Sequence, residues 1–146
     1  MRLIFACALI AVTSPAIGAP PVNPPAKALP MVVIDEKDTI VEQPAPHGNI
    51  GMSTAYRISD KAPQRAMEFR KRTLHKGSAI GIHPIDHDEV YYVVSGTGLV
   101  ESDGVTHTLT EGMTAYLYEG AKVGIKQVGD SPLTIIVSYP LKTRTP

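Results

Sequence analysis

The chain has 146 residues, 43% of them hydrophobic, with 14 lysine plus arginine against 14 aspartate plus glutamate. That length supports one domain with one core. A net charge of zero excludes recognition of nucleic acid, anionic membrane or polyanions through a bulk field, so any charge that acts must act locally.

The chain begins "MRLIFACALIAVTSPAIGAP": one arginine, an apolar run from Leu3 to Val12, then small residues. A run that short does not span a bilayer, and the order basic, apolar, small is that of a cleaved secretory signal. Residues 1–18 are expected to be removed after Gly18, because a cut after Ala19 would place Pro20 directly behind the scissile bond. The mature protein is then expected in the periplasm or outside the cell, with no stable membrane anchor. Cys7, the only cysteine, lies inside the apolar run rather than at its end, where a lipid-bearing cysteine would be needed, and leaves with the signal. The remainder has 13 basic and 14 acidic residues and no thiol, which excludes disulfides and thiolate metal sites. Any metal must be held by nitrogen and oxygen.

Residues 19–30, "APPVNPPAKALP", read as an extended tether, and the domain is expected over 31–146. "MVVID" (Met31 to Asp35) is expected as a first strand and "QPAPHGNIG" (Gln43 to Gly51) as a loop. After Gly51, short runs recur as "MSTAYRI", "AMEFRKRTL", "SAIGIH", "EVYYVVS", "GLVES", "VTHTL", "MTAYLYE", "VGIKQV" and "PLTIIVSY". Turn residues separate them, and none carries a helical period. This punctuation predicts an all-β sandwich or barrel. "EVYYVVS" and "LTIIV" are apolar on successive residues, which predicts that both faces are covered. The cover is either a second copy in a homodimer, sheet against sheet, or an N-terminal strand folded over.

The densest chemistry lies in "HPIDHDEVYYVVSGTG", His83 to Gly98. On one continuous strand His83 and His87 would stand about 13 Å apart, too far to share an ion. Pro84 and the composition of "PIDHD" instead predict a hairpin that sets His83 across from Glu89, with His87 leaning in from the bend. His83, His87 and Glu89 are then candidate ligands, two histidines and one carboxylate, for a divalent ion such as Zn, Mn, Ni or Fe. Without metal, His83 and Glu89 remain a candidate catalytic acid and base pair or a satisfied core hydrogen bond.

"GSAIGIHPIDHDEVYYVVSG", Gly77 to Gly96, resembles the first motif of the cupin superfamily, with Gly77, His83, Glu89 and Gly96 in register and Ile85 where that motif has its second histidine. "GMTAYLYEGAKVGIKQ" resembles the second motif: Gly112 and Gly120 match, while Tyr118, Val123 and Gln127 stand for its proline, histidine and asparagine. The resemblance runs from about Phe69 to Tyr139. It implies a single-domain double-stranded β-helix, or jelly roll, and a small-molecule ligand inside it. Two of the four usual metal ligands, His83 and Glu89, are kept. Cupins include isomerases, lyases, decarboxylases, dioxygenases and non-enzymatic binders, so no single activity is implied.

Tyr91, at even spacing from Glu89, is expected in the same cavity as a substrate-binding residue or as packing, and Gln127 is the second candidate substrate contact, since only one of Lys126 and Gln127 faces inward. Tyr116 or Tyr118 is a candidate for the pocket mouth, and His47 for a lid. Arg70 and Arg72 share one face of "EFRKRTLHK": a carboxylate or phosphate receptor if that face lines the barrel, a solvated edge strand if not. His75 and His107 are expected at the surface. Two functions follow. One is a secreted or periplasmic cupin that binds a small polar molecule and runs metal-assisted or acid-base isomerase or lyase chemistry through Glu89 and His83. The other is a non-catalytic sugar- or carboxylate-binding module with a lost metal site.

Overall fold

The computed structural model describes residues 28–142. The expected signal and most of the tether lie outside the described residues. The barrel belongs to the compact unit that begins at Val32. Its strands are β1 (Ile40–Pro44), β2 (Met52–Tyr56), β3 (Met67–Leu74), β4 (Ala79–Pro84), β5 (Glu89–Ser95), β6 (Thr97–Ser102), β7 (Val105–Thr110), β8 (Thr114–Leu117), β9 (Lys122–Val128) and β10 (Leu133–Pro140). Among the described residues the only helical pieces are two 3₁₀ turns, Glu36–Thr39 and Ile58–Lys61.

Two antiparallel sheets face each other, one of six strands in the order β1-β2-β3-β10-β5-β8 and one of four in the order β4-β9-β6-β7. Alternation decides what each strand buries. On β10, Leu133, Ile135 and Val137 point inward while Thr134, Ile136 and Ser138 are only half-buried; on β5, Glu89, Tyr91 and Val93 point inward. Val123 and Ile125 of β9 and Val100 of β6 meet them from the smaller sheet to form the core. Gly96 turns the chain from one sheet to the other at φ 82°, where an added Cβ would come within 2.2 Å of the Pro132 carbonyl oxygen. A glycine is required there.

Three expectations change. "MVVID" is not a strand: Val33 stays exposed, and Asp35 caps the first 3₁₀ turn by accepting from the Lys37 amide (3.0 Å), so pairing starts at Ile40. "PIDHD" does not close a hairpin, because β4 and β5 lie in opposite sheets and the segment carries the chain between them. The strand bearing Arg70 and Arg72 is no edge, since β3 lies between β2 and β10. The outer face of β5 is uncovered in the single chain, with Tyr92 and Val94 exposed.

Candidate functional site

A cavity of about 290 Å³ opens between the sheets, walled by β3, β4, β5, β10 and the loop before β2. It contains four of the site residues expected from sequence, His83, His87, Glu89 and Tyr91. The crossing segment therefore delivers its side chains to one place, although by a sheet-to-sheet route.

The loop wall is seated by close approach. Between Ile80 and His83 the β4–β9 ladder slips register, and the Gly81 amide donates instead to the Pro46 carbonyl (3.1 Å). A Cβ at Gly81 would fall 1.5 Å from the His47 carbonyl oxygen, so only glycine lets the loop lie on the strand. His47 adopts φ 57°, a left-handed conformation uncommon outside glycine. The result is a histidine pair: His47 stacks on His83 with ring centroids 3.5 Å apart and planes within 7°. His83 Nδ1 lies 2.9 Å from the Gly81 carbonyl oxygen. A carbonyl only accepts, so Nδ1 carries the hydrogen of that bond. Burial, then His83 and Arg72, lower the His47 pKa.

Glu89 is 5% exposed. Burial raises its pKa, against the opposing pull of His87, His83 and Tyr91. His87 spans two carboxylates, with Nε2 3.3 Å from Glu89 Oε2 and Nδ1 2.8 Å from Asp86 Oδ1, and its ring stacks on Tyr139. Tyr91 is wholly buried with its hydroxyl toward Glu89; burial, then the carboxylate, push its pKa up.

Arg72 forms the cavity's inner wall on β3 and is 6% exposed. Its Nη1 donates to Ser53 Oγ (2.7 Å), and no carboxylate among the described residues lies within ion-pair distance of it. Arg70, two residues earlier on the same face, is by contrast bonded to Glu68 (2.6 Å) and close to Asp60 (3.6 Å).

The expected metal set does not assemble. Among the described residues no group of three or more histidine, cysteine, aspartate or glutamate side chains is placed to hold an ion. Val123 sits directly across the ladder from His83, and Val123 and Ile85 are both buried in the core, so hydrocarbon occupies two positions where the resemblance implies ligands. His83 is drawn to Gly81 and His47, while His87 alone pairs with Glu89. The residues present do not fit a cupin metal centre.

Other candidates also fall elsewhere. Gln127 is buried but does not line the cavity: its amide accepts from the Gly77 N–H and donates to the carbonyls of Val128, Gly129 and Ser131. It ties a turn together and has no donor left for a substrate. Lys126 points outward. Tyr116 and Tyr118 are exposed against each other, Tyr116 donating to Asp88 (2.7 Å). His107 is exposed, as expected, and His75 is held at its edge by Thr54. Tyr139 is the site residue that strand-by-strand reading passes over, and Arg72 lines the cavity as the receptor alternative for its face required. The usable signal was the shared parity of Arg70 and Arg72 with Leu74, whose burial marks that face as inward.

A two-sheet antiparallel barrel with a polar cavity at one end of its core is a barrel of the jelly-roll class. Residues 70–139 match the family model described as Cupin domain, which places that segment, the larger part of the barrel, in the cupin superfamily. It is similar in fold to a predicted oxalate decarboxylase from Thermotoga maritima (TM-score 0.67, 20% identity, covering 75% of this chain and 99% of that one). KdgF from Halomonas sp. is similar at TM-score 0.61 and 17% identity, over 78% of this chain and 97% of that one. An RmlC-like cupin from Shewanella frigidimarina is similar at TM-score 0.60 and 18% identity, over 77% and 95%. No curated protein sequence matches the chain.

Proposed function

We propose that this protein is a small-molecule cupin that uses Glu89 as a proton-transferring group on a ligand held in the cavity between its sheets. The observation that carries the reading is the placement of Glu89: buried, on the cavity wall, hydrogen-bonded to His87 and faced by His83. A carboxyl whose pKa is raised by burial is a stronger base once ionised than one in water and is matched to proton transfer nearer neutrality. In an isomerase or lyase of this kind the Glu89 carboxylate takes a proton from a carbon next to a carbonyl or carboxylate group. It then returns the proton to a second position, or a β-substituent leaves. His87 fixes the orientation of Glu89, and Tyr91 closes the base of the site to water. No step uses a metal.

The test is deuterium exchange. Ligands found by thermal-shift screening of small hydroxy acids, keto acids and sugars are incubated with protein in D₂O and followed by NMR. Wild type is expected to exchange a C–H proton, and Glu89→Gln to bind without exchanging. Binding without exchange in the wild type would favour the non-catalytic binding module, for which the loss of two ligand positions to Ile85 and Val123 speaks.

Two further expectations belong to this reading. Secretion with cleavage after Gly18 is tested by N-terminal sequencing of the exported protein, which should begin at Ala19. Association of two copies through the outer face bearing Phe69, Tyr92, Val94 and Tyr116 is tested by light scattering of wild type and Tyr92→Glu.

A further inference from the structure

We infer that the cavity's ligand is a small monocarboxylate whose carboxyl group is received by Arg72. This deepens the reading above and rests on it for the existence of a ligand.

A guanidinium taken out of water is stabilised only by a counter-charge and by hydrogen bonds to its five N–H donors. Arg72 is 6% exposed, bonds one hydroxyl, and has no carboxylate within ion-pair distance among the described residues. Its nitrogens are not sealed in the core either. The only described residues with completely buried, unpartnered side-chain nitrogens are Arg57 and Arg65, so the remaining Arg72 donors reach the cavity. Burial and the nearby guanidinium groups of Arg70 and Arg57 weigh against the charge of Arg72, whereas burial of Arg70 is answered by Glu68. The two arginines are the same residue on the same face of the same strand. One is closed by the protein's own acid, the other left open toward a cavity.

An anion is the missing partner, and the cavity limits its charge and size. One uncompensated guanidinium balances one negative charge; a dianionic phosphoryl group would add a second beside Glu89 and Asp86, which line the same space. A planar carboxylate matches the guanidinium fork with two parallel bonds. Ile80, Ile85 and Val137 supply an apolar wall for a short carbon skeleton, and 290 Å³ holds about ten water-sized groups. His47, carried in by its strained loop, lines the same cavity and is close enough to Arg72 to sense its charge.

The experiment compares matched ligands by isothermal titration calorimetry or ligand-observed NMR: small hydroxy- and keto-carboxylates, their primary amides, neutral sugars, and inorganic phosphate. Each is measured on wild type, Arg72→Met and Arg72→Lys. Wild type should prefer the carboxylate to its amide; Arg72→Met should lose about tenfold to a hundredfold in carboxylate affinity and nothing in amide affinity, with Arg72→Lys between. Thermal unfolding without ligand separates a receptor from a structural arginine. Replacing an uncompensated buried charge by a hydrocarbon of similar length should leave the melting temperature unchanged or higher. Several results would overturn the inference: equal affinity for acid and amide, undiminished carboxylate binding in Arg72→Met, preference for phosphate, or an Arg72→Met that melts markedly lower or does not fold. Binding of neutral sugars alone would overturn it while leaving the small-molecule reading intact. No binding of any probe would overturn both.

Discussion

The inner face of β3 holds two polar regions, and they are built to opposite rules. At one end Glu68, fully buried, meets Arg70 and Arg65 and accepts a hydrogen bond from the Ser59 hydroxyl, with Asp60 joining both arginines. At the other, Arg72 faces a cavity with a hydroxyl for company, and shares that cavity with a carboxyl whose pKa burial has raised. Both regions hold buried charge, and only in the first do the protein's own carboxylates pair with the arginines; Arg65 Nε is the one nitrogen there left without a partner. The comparison teaches that burial of charge is not the sign of a site; incompleteness beside a cavity is.

The sharpest way to break the comparison is Glu68→Ala. It leaves Arg65 and Arg70 with Asp60 alone beside a buried void and should cost about 3 kcal/mol, read by urea unfolding, whereas Arg72→Met should cost nothing measurable. A cost from Glu68→Ala no larger than that of a surface substitution would erase the difference.

Gly81→Ala comes next. A side chain there would displace the His47 loop from β4, costing about 2 kcal/mol. Ligand affinity should fall with it, because the His47–His83 stack depends on that seat.

The smallest effect is a pH dependence. Burial acts to raise the Glu68 pKa, but the hydrogen bonds from Arg70 and Ser59 and the charges of Arg70 and Arg65 outweigh it, leaving it lowered. Its stabilisation is therefore fully present above the ordinary carboxylate range and is lost as pH falls through that range toward the depressed folded value. Glu68→Gln should flatten the acid limb of the stability profile, seen by thermal melts between neutral and acid pH; an unchanged limb would contradict the assignment.

Much of this was legible in the sequence, for local reasons. Alternation and glycine punctuation specify strands and turns, and Gly96 marks the sheet-to-sheet corner that any such barrel needs. Glu89, His83 and Tyr91 were found because their spacing along one strand and its approach is a local property. For Arg72 the sequence left two readings, receptor or solvated edge, because β3 resembles an edge until its neighbours are known, and neighbour order is set by pairings between distant segments, as of β3 with β10. Gln127 failed in the reverse way: its motif register suggested a ligand contact, yet the backbone carbonyls of the following turn lie closer and take its donors. His87 reaches Glu89 from the crossing segment, while hydrocarbon at Ile85 and Val123 removes the metal centre that the motif implies.

The central claim is that Arg72 is left open for a ligand's carboxylate. The most direct measurement is a crystal structure of the mature protein with the tightest-binding carboxylate from the screen. The account predicts both carboxylate oxygens within hydrogen-bond distance of the Arg72 guanidinium, and the ligand's carbon skeleton against Ile80 and Val137. A ligand bound elsewhere, or one in the cavity with its carboxylate turned away from Arg72, would contradict it.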